Sequence, residues 1–248
     1  MSHEEHDKET EEDIQQAINK YGWFIALFEA DTATPAFAYT IGLWKTYNHP
    51  EIICFGLSTD IMHELLNDAG GEVKNGKPIS LDVDNIDYLS DFPVMFKNVE
   101  PDNISDYMGY GQWYHGYKDF PVIQLFWTDK ERNYPWQNDY NSALQFNQPL
   151  LDRKLDFKFF EPRNVASFIV KQIVYGGKPI LYVTHDEDDG AWQFLTDEEA
   201  IVDDLIVVSL NEIVKLDPSV NELFNLPTGQ YATRKFVGDK WVRESVVE

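Results

Sequence analysis

The chain is poor in the residues on which several classes of protein depend. It contains one cysteine, Cys54, in 248 residues, so an internal disulfide is excluded and a reducing compartment is expected. No apolar run approaches the roughly 20 residues that a membrane span requires. The first residues are polar and acidic, whereas a secretory signal is basic and then apolar. These features predict a soluble cytoplasmic protein with no membrane partner.

Basic residues are scarce as well. Lys and Arg number 20 against 43 Asp and Glu, which gives a formal net charge of −23. Proteins bind phosphate backbones through clustered Lys and Arg, so DNA and RNA are excluded as partners. A strong negative potential instead accelerates association with basic proteins. The same charge also serves solubility alone, and composition does not separate these two interpretations.

Familiar catalytic motifs are missing. There is no G-x-S-x-G nucleophile elbow, no Walker motif and no dinucleotide-binding glycine pattern. Cys54 lies in the apolar run IICFGL, without a positive neighbour that would activate a thiol. We therefore name no catalytic residue and expect no cofactor. Whether the protein is an enzyme stays open, and a binding function is the favoured hypothesis.

Two groups of residues invite a metal hypothesis, and neither has the right spacing. His49, Glu51, His63 and Glu64 are ligand types for zinc or iron, but no second His follows His63 four residues later. We expect His49 to bond a backbone carbonyl instead. The turn DEDDG is acidic enough for calcium, but an EF-hand register would place His185 and Thr196 at ligand positions. No metal site is predicted.

Length and pattern predict two domains of the α+β class. Short helical patterns and hairpin signals are mixed, without regular βαβ alternation. We expect each domain to hold a mixed or antiparallel sheet with a few packed helices. The predicted parts are an acidic tail and helix start over 1–13, an aromatic-rich domain over 14–150, a charged connection over 151–162 and an acidic domain over 163–248.

In the first domain we predict a helix over about residues 11–21, capped by Thr10 and closed by Gly22. Three β-rich runs follow, WFIALFEA, AFAYTIGL and EIICFGL, and Ser58 or Thr59 then caps the helix DIMHELLNDAG. Further strands are expected at KPISLDVD, FPVMFKNV and FPVIQLFWTD.

In the second domain we predict a helix that begins near Pro162 and ends at Gly176 and Gly177. ILYVTH and AWQFL are predicted strands joined by the acidic turn, and LIVVSL is a third. Two short helices, SLNEIVKL and DPSVNELFNLP, precede a C-terminal hairpin formed by QYATRKF and KWVRE.

Several motifs between residues 20 and 150 carry a family resemblance. They are Gly22-Trp23, Tyr39-Thr40-Ile41-Gly42-Leu43, His49-Pro50-Glu51, and the run FPVIQLFWTD followed by Tyr134-Pro135-Trp136. With these in order, this part of the chain resembles a bacterial family known as domain of unknown function 4262. The resemblance implies no established reaction, so any function has to be read from the residues themselves.

The segment from Thr184 to Arg234 is strongly acidic. Between Lys178 and Lys215 there are ten carboxylates and no Lys or Arg. Its runs THDEDDGAWQFL, VVSLNEIVKLDPS and LPTGQYATR resemble another bacterial family, domain of unknown function 2185. Members of that family are often grouped with immunity proteins, which neutralise toxins of other cells.

The leading hypothesis is therefore a cytoplasmic immunity-type binding protein that occludes a cognate, basic toxin domain. Acidic residues beside an apolar anchor would supply the docking surface. Strand alternation also suggests that Trp192 or Phe194 faces the core. The residues predicted to bind the partner are Asp186, Glu187, Asp188, Asp189, Trp192, Asp197, Glu198 and Glu199.

The alternative hypothesis is a small-molecule-binding protein or an enzyme that uses an aromatic pocket in the first domain. The run from Gln112 to Tyr117 would form a polar aromatic loop that either stacks a planar ligand or packs as a rim. The predicted pocket residues are Trp113, Tyr114, His115, Trp127 and Trp136.

Overall fold

The computed structural model describes residues 3–31, 34–144, 146–196 and 204–245, with only the backbone described for residues 3–9. The chain divides into two compact units, and the main boundary lies between Leu155 and Asp156. This boundary falls inside the segment 151–162 that was predicted to connect two domains. Each unit is built on a six-stranded mixed sheet with helices, which confirms the α+β class.

The first unit contains four α-helices and six strands among the described residues. In chain order they are α1 (His3–Tyr21), β1 (Phe24–Phe28), β2 (Phe37–Ile41), α2 (Leu43–Tyr47), β3 (Glu51–Phe55), α3 (Thr59–Lys74), β4 (Asn85–Leu89), β5 (Phe92–Asn98), α4 (Gly109–Tyr114) and β6 (Val122–Trp127). The strand order is β1-β2-β3-β6-β5-β4. Strands β3 and β6 run parallel, and the other neighbours are antiparallel.

Helix α3 covers one face of this sheet. The side chain of Ser58 accepts a hydrogen bond from the Ile61 N–H and so caps the helix, as predicted. The buried face of α3, which includes Met62 and Leu66, packs on strand residues such as Ile52. The central strands β3 and β6 are buried along their whole length, which explains their continuous apolar sequence.

The second unit repeats the layout of one parallel pair inside an otherwise antiparallel sheet. Its elements are β7 (Ala166–Val170), α5 (Lys171–Val174), β8 (Tyr182–His185), β9 (Trp192–Leu195), β10 (Leu205–Ser209), α6 (Leu210–Leu216), a 3₁₀ helix (Pro218–Leu223), β11 (Gln230–Thr233) and β12 (Val242–Ser245). The strand order is β10-β7-β9-β8-β11-β12, with β7 and β9 parallel. Ser209 and Glu212 form a capping box at the start of α6.

Outside the run from Gln112 to Tyr117, three local predictions are wrong. The helix predicted from Pro162 is instead strand β7 followed by the four-residue helix α5, because the β-favouring run ASFIV pairs with strands on both sides. The run KPISLDVD makes a single bridge at Leu81, and the strand lies later, at β4. Helix α1 begins at His3, so Thr10 is inside it, since the Glu-rich segment before Thr10 favours helix.

In the part of the chain that the structure describes, no helix combines the length and apolar character needed to cross a membrane.

Candidate functional site: an aromatic pocket in the first unit

The run from Tyr107 to Tyr117 supplies most of the site. A loop was expected from Gln112 to Tyr117. The first residues of this run instead belong to helix α4, which ends at Tyr114 and is followed by a turn. Gly116 and Tyr117 close the turn in the left-handed region, with φ of 69° and 56°. Tyr110 and Trp113 are three residues apart and lie on one face of α4, and Tyr117 follows in the turn.

These side chains line a pocket of about 330 Å³. The remaining walls come from three other elements, with Glu11 on α1, Phe28 on β1 and Tyr39 on β2. Tyr107 completes a set of six aromatic rings. Glu11 is the one charged residue among the described residues that line the pocket.

The aromatic wall is held by ring stacking. The Phe28 ring lies nearly parallel to Tyr39, with centroids 5.6 Å apart, and to Tyr110, at 6.5 Å. Behind this wall, Phe37 stacks on Phe28 at 4.5 Å, and Tyr107 meets Phe55 edge-on at 4.9 Å. Such pairs add to the free energy of burial, so contacts within the protein hold these rings in place.

The Tyr39 hydroxyl belongs to this wall and stays neutral. It accepts a hydrogen bond from the Tyr110 N–H at 3.3 Å, which ties strand β2 to helix α4. Burial raises the pKa of Tyr39 well above its ordinary value, because the phenolate would be poorly solvated there. Tyr39 therefore contributes a phenol, not a charge, at physiological pH.

A buried carboxylate joins three separate segments, two of which carry Tyr39 and Trp113 of the pocket. Glu51, at the start of β3, is fully buried and accepts hydrogen bonds with both oxygens. One oxygen receives the Gly42 N–H at 2.8 Å and the Trp44 N–H at 3.1 Å, and the other receives the Thr40 hydroxyl at 2.8 Å and the Leu43 N–H at 3.2 Å. The carboxylate thus caps helix α2 with charge-assisted bonds.

His115 brings the third segment to this carboxylate. Its Nε2 lies 3.0 Å from Glu51 Oε1, and both side chains are almost completely buried. Since Glu51 only accepts, the Nε2–H of His115 is the donor. This bond fixes the end of α4 against β3, and so positions Trp113, two residues earlier, in the pocket wall.

Gly42, which lies between strand β2 and helix α2, has a conformational role. Gly42 has φ of 113°, a left-handed value that side chains with a Cβ rarely adopt. A Cβ there would also lie 3.1 Å from Ile18. This backbone turn lets consecutive N–H groups converge on Glu51, so the motif Tyr39-Thr40-Ile41-Gly42-Leu43 encodes both the pocket wall and its support.

Three reactive side chains of this unit, Glu51, His115 and Cys54, are buried. Glu51 and His115 satisfy each other, and neither faces the pocket as a free acid or base. Cys54 is fully buried, and burial raises the pKa of its thiol to about 12, so it is not a nucleophile. The pocket itself offers aromatic surface and one carboxylate, which is suited to holding a ligand.

The five residues predicted for the pocket do not come together. Trp113 lines it, whereas Tyr114 packs beneath the Lys45 ammonium, 4.1 Å from the ring centroid, and His115 is buried. Trp127 belongs to the core beneath α3 and donates to the Phe55 carbonyl at 2.7 Å. Trp136 stacks on Tyr134 and meets Phe126 edge-on.

The candidate metal ligands are also placed apart. Nδ1 of His49 lies 2.8 Å from the Pro50 carbonyl, which confirms the expected backbone bond. His63 pairs with Asn67 on the surface of α3. No group of three His, Cys, Asp or Glu side chains among the described residues has the geometry of a metal site.

In the second unit, the acidic turn forms an exposed hairpin tip between β8 and β9. Asp186 and Asp189 use their carboxylates locally, accepting the N–H of Asp188 and of Ala191 at 2.9 Å each. Glu187 and Asp188 are exposed. Asp197, Glu198 and Glu199, which were predicted to share the docking surface, lie outside the described residues.

Trp192 is not an exposed anchor, and its prediction as a partner-binding residue is wrong. Its side chain is fully buried, stacks on His185 with centroids 4.0 Å apart, and donates through Nε1 to Glu161 at 2.7 Å. Phe194 is fully buried as well. Both side chains lie on one face of β9 because they are two residues apart, and that face is the core of the unit.

Sequence reasoning missed most of the pocket. Glu11, Phe28, Tyr39, Tyr107 and Tyr110 were absent from the predicted ligand site, and Tyr117 entered only as the end of the predicted loop that starts at Gln112. The alternation of Phe37 and Tyr39 along β2 and the aromatic density of YMGYGQWYHGY carried a usable signal. The sequence carried no such signal for Glu11, because helix α1 contains many other acidic residues.

The family comparison agrees with the first unit. The family model named "Domain of unknown function (DUF4262)" matches residues 17–141, just over half of the chain. The chain therefore belongs to this family. The comparisons with curated proteins and with solved structures found no match. No family model supports the resemblance of the acidic segment to domain of unknown function 2185, which stays a prediction.

Proposed function

We propose that the protein is a binding protein that takes a small ligand into the aromatic pocket of its first unit. The observation that carries the proposal is the convergence of six rings and one carboxylate on a cavity of about 330 Å³. Ligand pockets are commonly concave, mostly apolar and largely preformed, and start near this size. Binding is favoured over catalysis because Glu51 and His115, a buried acid–imidazole pair among the described residues, bond to each other and do not line the pocket.

The experiment uses the full chain and a panel of small planar and ammonium probes, including indole, adenosine and choline. Saturation-transfer NMR reports binding, with Trp113→Ala and Tyr117→Ala as test variants. Tyr117 is 78% exposed, so its replacement removes pocket surface without opening the core, and Tyr175, 79% exposed in the second unit, gives the matched control Tyr175→Ala. We expect at least one probe to bind and to lose at least about fivefold in affinity in both test variants, with no change in the control. Absence of any bound probe, or equal binding by all variants, contradicts the proposal.

A second candidate function is the neutralisation of a basic toxin domain by the acidic second unit. Support comes from the exposed hairpin tip, where four consecutive acids, Asp186 to Asp189, stand on a turn stabilised by its own side-chain hydrogen bonds. A preformed, negatively charged tip accelerates encounter with a cationic surface. Co-expression with the product of the neighbouring gene, followed by co-purification, tests this function. Separate elution of the two proteins at low salt contradicts it.

A further inference from the structure

The chemistry of the pocket narrows the class of ligand. Glu11 lies among aromatic side chains, and no Lys or Arg lines the cavity among the described residues. A bound anion would be repelled by this carboxylate, and a neutral ligand that displaces water would leave the carboxylate less well solvated. A cation is the one charge type that stabilises Glu11 on binding.

The rings themselves also favour a cation. The face of an aromatic ring carries negative quadrupole density, and an ammonium group within about 6 Å of a ring centroid is attracted to it. The protein already uses this interaction at the end of helix α4. The Lys45 ammonium there lies 4.1 Å from the centroid of the Tyr114 ring. For Phe28, Tyr39, Tyr110, Trp113 and Tyr117, no Lys or Arg from the described side chains lies over the ring.

Size and hydration distinguish among cations. A compact, strongly hydrated ion gains little from apolar walls, whereas a methylated ammonium group buries its methyl groups against the rings and keeps its charge. A cavity of about 330 Å³ is near the lower end of ligand pockets, so it suits a headgroup-sized ligand. The net charge of −23 adds a long-range attraction for any cation.

We infer that the pocket binds a quaternary or methylated ammonium group, with Glu11 as the counter-charge and the aromatic side chains as the cage. The inference rests on the proposed function of the pocket. It specifies the chemical class of the ligand, which the pocket alone leaves open between planar neutral molecules and organic cations.

The test compares choline with 3,3-dimethyl-1-butanol, which has the same shape and a carbon in place of the charged nitrogen. Affinities for the full chain are measured by NMR titration at low ionic strength. We expect choline to bind about tenfold more tightly than the uncharged molecule, which is the scale of a partly desolvated cation–π interaction. Free trimethyllysine, run in parallel, shows whether a methylated side chain is accepted as well as a free headgroup.

Charge variants locate the effect. Glu11→Gln is expected to weaken choline binding by about three- to tenfold and to leave the uncharged molecule unaffected. Glu12→Gln is the matched control, because it removes the same charge from the adjacent, exposed residue of α1, which does not line the pocket. Equal losses in the two variants would assign the effect to net charge and overturn the inference.

The outcomes separate this inference from the proposed function. If the uncharged molecule or a planar probe binds as tightly as choline, and Tyr117→Ala weakens it, the pocket binds ligands but the ammonium inference is wrong. If no probe binds, both fail. Tyr117→Ala serves here because this exposed side chain is removed without a cost to the core.

Discussion

Glu51 accepts a hydrogen bond from His115 across 64 residues of sequence, at 3.0 Å and out of contact with solvent. The same carboxylate caps helix α2 and accepts the hydroxyl of Thr40. One side chain therefore joins β2, α2, β3 and the end of α4. The aromatic pocket is supported by this junction, since Tyr39 precedes Thr40 and Trp113 precedes His115 by two residues.

Replacement of Glu51 by Gln is expected to lower the free energy of unfolding by about 3 kcal/mol or more. The amide retains the shape of the side chain but loses the charge and one of two acceptor oxygens, which leaves buried N–H groups without an acceptor. Urea unfolding followed by fluorescence measures the change. Glu64→Gln, an exposed site on α3, is the control. A loss below about 0.5 kcal/mol would show that the junction is dispensable.

Stability at acid pH is expected to depend on Asp129. Burial alone raises the pKa of this carboxyl, but hydrogen bonds from the backbone of Asn133 and Asn141 outweigh that effect, and the pKa lies below its ordinary value. A lowered pKa in the folded state contributes stability that is complete above the unfolded value of about 3.9 and is lost as the pH falls through the folded value.

The urea midpoint of Asp129→Asn should therefore lie below that of the wild type at pH 7, and the gap should narrow as the pH falls below about 3.9. Asp119→Asn, at an exposed position, is the control and should give no gap at either pH. A gap for Asp129→Asn that is independent of pH would mean that the lost acceptor oxygen, not the charge, matters.

Neutralising the hairpin tip is expected to leave the fold intact. In the variant with Asn or Gln at positions 186–189, each change should alter the free energy of unfolding by less than about 0.5 kcal/mol, because the tip is largely exposed and like charges repel. Any basic partner of the second unit should associate about tenfold more slowly at low salt, with the difference shrinking at high salt. A collapsed melting temperature would show that these acids are structural.

Replacement of Trp192, by contrast, is expected to destabilise the fold. Its replacement by Ala removes a fully buried indole that contacts His185, Phe159 and Glu161, so a loss of about 3–5 kcal/mol is expected. Chemical denaturation of the second unit measures this. The tip variant is the internal comparison, since its substituted positions lie in the same hairpin. A mild effect for Trp192→Ala would contradict the placement of this residue in the core.

Limited proteolysis with trypsin is expected to cleave first after Arg153 or Lys154. Both residues are exposed and lie next to the boundary between Leu155 and Asp156. The residues on either side are protected by backbone hydrogen bonds. The Leu151 backbone bonds to the Glu100 N–H and the Gln124 side chain, and the Lys158 N–H donates to the Asn221 side chain. Mass spectrometry should detect two resistant fragments. Two such fragments would indicate that each unit folds independently. Early cleavage inside either unit would contradict this.

Much of the fold follows from local sequence. Ser58 before a periodic apolar run predicts α3 and its cap, Ser209 and Glu212 mark the start of α6, and the apolar runs of β3 and β6 predict buried strands. Periodicity and capping operate within about two turns of chain, so a single sequence contains them. The motifs of the first domain likewise identify its family without a structure.

Tertiary structure decided the rest. The segment before Gly176 has both helical and strand character, and only its pairing with β9 and β10 makes β7 a strand. The same holds for the site. Trp127 and Trp136 were grouped with Trp113 by composition, yet they pack in different places, while Glu11 and Phe28 join Trp113 from distant segments. Which side chains share a pocket depends on strand order and helix packing, and neither is a property of neighbouring residues.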